Sequence, residues 1–135
     1  MRHELKLNLA KGLNALAIMQ TMVDQNGFTE LSPNTVHEVG LALLSEVVEF
    51  MNEMHWKSWK QAHPVNIDRA ADEFADILAF LGYLILWMGV LNVSPSQLAE
   101  AYEKKTAINI ARLAGDVEGY GVRETQRPFP GMGHA

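Results

Sequence analysis

At 135 residues the chain has room for one domain with a sizeable core, and 48% hydrophobic against 20% charged residues is ordinary globular composition. A net charge of −5 speaks against a general nucleic-acid binder, which needs a basic face. The absence of cysteine excludes disulfide frameworks, thiolate zinc sites and cysteine nucleophiles. The N-terminal stretch mixes charged and apolar residues and has no compact apolar block of the signal-peptide kind, so the expected location is cytoplasmic.

Apolar residues recur at helical spacing along the chain, and nothing alternates with period two. A first helix is expected over about Leu5 to Gln25, stopped by Asn26-Gly27. Ser32-Pro33 reads as a cap with proline in the first turn, opening a second helix to about Trp59. Pro64 closes the connection, and Asn66 or Asp68 can cap a third helix ending near Leu91. Ser94-Pro95 repeats the cap and opens a fourth helix through about Ala114. Residues 1–120 then form one all-α domain, a bundle of four to five helices, and the Gly- and Pro-rich residues 121–135 form an arm or a disordered tail.

Within the third helix, Ile77 to Val93 runs seventeen residues without a charge, the lower edge of a membrane span. Asp68, Arg69, Asp72, Glu73 and Asp76 precede it without a break and would share its helix. Burial in a bundle or a subunit interface is therefore the expectation, rather than membrane insertion.

The second helix places Glu46, Glu49 and Glu53 within about 60° of one another, embedded in apolar sequence. No Lys or Arg lies between Glu38 and Glu53 to neutralise them. Asp72, Glu73 and Asp76 make a second acidic set, three and four residues apart. Any single acid of this kind reads best as part of a solvated face. Two such pairs without basic partners need protons, counter-charges or a cation. Clustered carboxylates suit Mg²⁺ or Mn²⁺ and not zinc or copper. A ferritin-like di-iron site would need Glu-x-x-His, and no Glu here has a His three residues later. Acidic all-oxygen sites commonly hold Mg²⁺ with substrate phosphates.

Glu46-x-x-Glu49, followed after 23 residues by Glu73-x-x-Asp76, resembles the signature of the all-α nucleoside triphosphate pyrophosphohydrolases, the MazG-like enzymes and dimeric dUTPases. Three further segments are similar to the dimeric dUTPase branch: Trp56-Lys57-Ser58-Trp59-Lys60, Asp72-Glu73-Phe74-Ala75-Asp76 continuing to Ala79-Phe80, and Lys105-x-x-x-Asn109-x-x-Arg112 before Gly119-Tyr120. The resemblance implies water attack on a nucleotide phosphorus, releasing a monophosphate and pyrophosphate. It implies Mg²⁺ held by Glu46, Glu49, Glu73 and Asp76, with Glu46 and Glu49 as the catalytic pair. It also implies substrate contacts from Gln20, Lys57, Trp59, Lys105, Asn109, Arg112 and Tyr120, and a homodimer or homotetramer without nucleic-acid or membrane partners.

Read without the family, Trp56 and Trp59 can offer a base an aromatic face or serve as core. Lys57 and Lys60 can meet phosphates or favour a helix dipole. The amide of Gln20 can pair with a pyrimidine edge or lie at the surface. The five histidines show no ligand spacing. Ala79 stands where the branch usually has His, and Asp24 where an Asn would help read uracil. Both departures leave dUTP as the first expected substrate, with dCTP beside it. The rival expectation is a non-catalytic helical protein, partner-binding or membrane-associated, whose acids are surface.

Overall fold

The computed structural model describes residues 2–24, 32–61 and 63–115. Four helices account for most of them: α1 (Arg2–Asp24), α2 (Pro33–Glu53), α3 (Ile67–Val90) and α4 (Pro95–Ala114). No strand occurs among the described residues.

Local chemistry sets the boundaries. Ser32 Oγ accepts the Thr35 amide at 3.2 Å, and Pro33 occupies the first turn of α2. Asn66 Oδ1 accepts the Arg69 amide at 3.1 Å at the start of α3. Ser94 and Gln97 cap α4 reciprocally, each side chain bonded to the other's backbone N–H. Gly115, at φ +82°, ends α4 in the left-handed conformation that glycine adopts without strain.

One boundary departs from the sequence pattern. α2 ends at Glu53, six residues before the expected Trp59. His55 takes φ +52°, which a continuing helix cannot accommodate. The Trp56 indole then donates back to Asn52 Oδ1 at 3.0 Å, fixing the turn. Trp56 to Lys60 therefore lie in an irregular connection and not in a last helical turn.

α3 is the central helix. It packs against both α2 and α1, and α4 packs on α1. α1 and α3 run antiparallel: Gly82 lies against Leu16 and Gln20, while Ile85, Leu86 and Gly89 lie beside Ala17 and Asn14. The approach is close. A β-carbon at Gly82 would sit 2.7 Å from the Leu16 carbonyl oxygen. The α3–α4 junction lies near Asn14, and Lys6 pairs with Glu103 at 3.3 Å, so α4 runs antiparallel to α1 toward the N-terminus of α1.

The core is made chiefly of small residues, Ala10, Ala17, Ala70 and Ala99, with Val39, Tyr83 and Ile85. Of the uncharged run, Gly82, Tyr83 and Ile85 are buried, and the acids before it do share its helix. Among the described residues α3 is the one helix long and apolar enough to cross a membrane. Larger apolar side chains remain uncovered. Leu41, Leu44, Val48 and Met51 form an exposed stripe along α2, turned away from α3.

Candidate active site

The antiparallel contact of α2 and α3 brings the two acidic sets face to face. Phe50 and Phe74 meet edge to face, ring centres 5.5 Å apart. One turn toward the α2 C-terminus, Glu53 Oε1 pairs with Arg69 Nη2 at 2.8 Å. Beside the aromatic pair the carboxylates of Glu49 and Glu73 approach each other. Glu46, Glu49 and Glu73 each offer a carboxylate oxygen, and these oxygens lie within 4.8 Å of one another. Asp76 stands outside this triplet yet close enough to act on both Glu46 and Glu73.

The electrostatics follow from that crowding. Loss of water contact, then the charges of Glu49 and Asp76, push the Glu46 carboxyl above the usual carboxylate range. Glu73 is raised by the same loss of solvation, then by the close approach of Glu49, with Glu46 and Asp76 adding to it. Three hard oxygen donors, mutually repelling and within one ion's span, fit a small divalent cation whose bonds to oxygen are about 2.1 Å.

Past the end of α2 a cavity of about 480 Å³ is lined by Asn52, His55, Trp56, Lys57, Lys60, Gln61 and His63. Trp59 stands edge-on to Trp56 at 6.0 Å and is 73% exposed. The Lys57 ammonium sits 5.4 Å from the centre of the Trp56 ring. Lys57 and Trp59 thus lie past the C-terminal end of α2, beyond Glu53 and the turn at His55. His55 and His63 meet here with ring centres 6.2 Å apart. Sequence spacing gave no hint of that meeting, because the turn at His55 creates it.

Gln20 is buried at the α1–α3 contact, its β-carbon against Gly82. It lies one to two turns along α3 from Asp76. Lys105, Asn109 and Arg112 share one face of α4, as their spacing predicts, but α4 carries them to the N-terminal end of α1. With Gly82 level with Leu16 to Gln20 and Glu103 level with Lys6, they lie about 30–40 Å along the helix axes from the carboxylates, Lys105 nearest. One protomer does not bring them together. Tyr120 and residues 121–135 lie outside the described residues, as does the side chain of Asp24.

The dUTPase family model matches residues 11–89, more than half of the chain and the span that carries both acidic pairs. The chain belongs to the dUTPase family. Comparison with curated proteins and with solved structures gave no match. As a dUTPase family member the chain is a nucleotide pyrophosphatase, and the matched span takes in Gln20, Glu46, Glu49, Lys57, Trp59, Glu73 and Asp76 while ending before α4.

Proposed function

We propose that this dUTPase family member hydrolyses dUTP, or a related pyrimidine deoxynucleoside triphosphate, to the monophosphate and pyrophosphate as a Mg²⁺-dependent cytoplasmic homo-oligomer. The observation that carries the reading is the facing carboxylate set, with oxygens of Glu46, Glu49 and Glu73 within 4.8 Å of one another. Glu46, Glu49, Glu73 and Asp76 would hold Mg²⁺, with Mn²⁺ as a substitute. When bound, the ion supplies Lewis-acid activation of water and neutralises charge on the phosphate oxygens.

The remaining roles belong to side chains. One of the α2 glutamates, Glu46 or Glu49, also orients the attacking water. Lys57 neutralises phosphate charge, and the exposed face of Trp59 stacks on the base. Gln20 offers one donor and one acceptor to a pyrimidine edge. Lys105, Asn109 and Arg112 reach the phosphates from a second copy of the chain, since their own protomer holds them about 30–40 Å away. The exposed stripe Leu41, Leu44, Val48 and Met51 is the surface for that second copy, as a homodimer or as a unit of a homotetramer.

The test is pyrophosphate release from dUTP, dCTP, dTTP and the purine deoxynucleoside triphosphates, with Mg²⁺ and with chelator. Metal-dependent release, greatest with dUTP and next with dCTP, is the expected result. A clear purine preference would remove the pyrimidine assignment, and no release from any nucleotide would remove the enzymatic one.

A further inference from the structure

α2 presents three carboxylates toward α3, at Glu46, Glu49 and Glu53, yet only the first two join Glu73 in the close set. Glu53 lies on the same stripe, one turn beyond Glu49, and its side chain is 16% exposed. A third acid so placed would ordinarily complete an oxygen site. What distinguishes it is Arg69, whose Nη2 contacts Glu53 Oε1 at 2.8 Å from a side chain that is 67% exposed. Arg69 is the only Lys or Arg in either α2 or α3. The charged groups along this contact are Glu46, Glu49 and Glu53 from α2, and Arg69, Glu73 and Asp76 from α3. One guanidinium therefore stands against five carboxylates, and it sits on the one that the close set leaves out.

We propose that Arg69 is a positioning residue that decides which carboxylates belong to the metal set, by binding Glu53 and withholding it from Glu49 and Glu73. This rests on the metal reading above. The pair works in both directions. Arg69 supplies Glu53 with a counter-charge, so no cation is drawn one turn below the site. Glu53 in turn holds the guanidinium away from Glu49 and Glu73. The pair also joins the first turn of α3 to the last turn of α2, where mutual repulsion between the acidic rows would part them.

The two halves of the pair have opposite expected effects, which a purely structural contact would not produce. Mn²⁺ binding to nucleotide-free protein, followed by calorimetry and by the electron-spin signal of the ion, is the measurement. Arg69→Gln releases Glu53 toward the site and tightens Mn²⁺ binding about tenfold. Glu53→Gln releases Arg69 toward Glu49 and Glu73 and weakens binding about tenfold. The double variant returns close to wild type, and Arg69→Lys keeps the wild-type affinity. Equal affinity in wild type, Arg69→Gln and Glu53→Gln would overturn the proposal, as would loss of the same sign in both single variants. Glu49→Gln separates the two readings. If it abolishes Mn²⁺ binding while Arg69→Gln and Glu53→Gln change nothing, only the role of Arg69 fails. If wild type and Glu49→Gln bind Mn²⁺ alike, the metal reading fails and takes this one with it.

Discussion

Glu49 on α2 and Glu73 on α3 bring carboxylate oxygens within 4.8 Å of each other across the helix contact. Like charges brought so close favour the binding of a proton by Glu73 or of a cation between the two helices. The metal-free protein should therefore respond to pH in a particular direction. Glu46 and Glu73 are raised above the ordinary glutamate value of 4.5, so they bind protons more tightly folded than unfolded. Their contribution to stability is full below that value and is lost as pH rises through the raised folded values. In chelator, the unfolding temperature should fall as pH increases from about 4.5 toward neutrality, and Glu73→Gln should flatten that fall. The gain in unfolding temperature from added Mg²⁺ should run the other way and grow with pH, because ions bind the deprotonated carboxylates. Thermal unfolding across a pH series with chelator or Mg²⁺ measures both trends.

Glu49 shares the close set with Glu46 and Glu73. Glu49→Gln keeps its size and removes its charge. Mg²⁺-dependent turnover should fall by about a hundredfold or more. The apo protein should keep its fold and unfold at the same or a higher temperature, since repulsion with Glu73 and with Glu53 four residues on is relieved. Turnover and circular dichroism on the same sample check the pair of outcomes. Near-normal activity in a folded variant would end the assignment.

Two glycines in helix interiors should respond oppositely to alanine. Gly12 in α1 has open space where a β-carbon would go, so Gly12→Ala should stabilise by about 0.5–1 kcal/mol through helix propensity alone. Gly82 in α3 would place that carbon 2.7 Å from the Leu16 carbonyl oxygen and 3.3 Å from the Gln20 β-carbon. Backbone cannot yield as a flexible side chain does, so α1 and α3 must part. Gly82→Ala should destabilise by about 1–3 kcal/mol and, by displacing Gln20, raise the KM for nucleotide. Denaturant titration gives the two signs, and steady-state kinetics gives the effect on Gln20.

Much of this architecture was legible in the sequence because its signals are local. Ser32-Pro33 and Ser94-Pro95 mark two helix starts through contacts spanning a single turn. The acidic pairs are legible for the same reason, since i, i+3 spacing alone puts Glu46 with Glu49 and Glu73 with Asp76 on their faces. The end of α2 was not legible, because His55 enters a left-handed conformation that no glycine or proline announces. Relationships between helices were hidden too. Nothing in the spacing of Arg69 says that it meets Glu53, since that depends on the register of α2 against α3. The order of motifs along the chain likewise says nothing about which side of α1 receives α4. Lys105, Asn109 and Arg112 follow the acidic pairs in sequence and lie at the far end of α1 in space.

That separation leads to a test of how the site is assembled. If α4 of one copy serves the carboxylates of another, no single chain holds a complete site. Glu49→Gln and Lys105→Ala should each be inactive as pure proteins. Mixed under exchange conditions, they form heterodimers in which one site carries both defects and the other carries neither. Random pairing of equal amounts makes half of all dimers mixed, so about one quarter of wild-type activity should return. If each chain used its own α4, every site in every mixture would carry one defect and nothing would return. Leu44→Glu provides the companion measurement, because it puts a charge in the exposed α2 stripe without touching the carboxylates. It should yield monomers by light scattering, with turnover lost and Mn²⁺ binding retained. Recovery on mixing would assign α4 to the neighbouring copy, and failure to recover between two proteins shown to exchange subunits would return the phosphate contacts to the Lys57 end of the same chain.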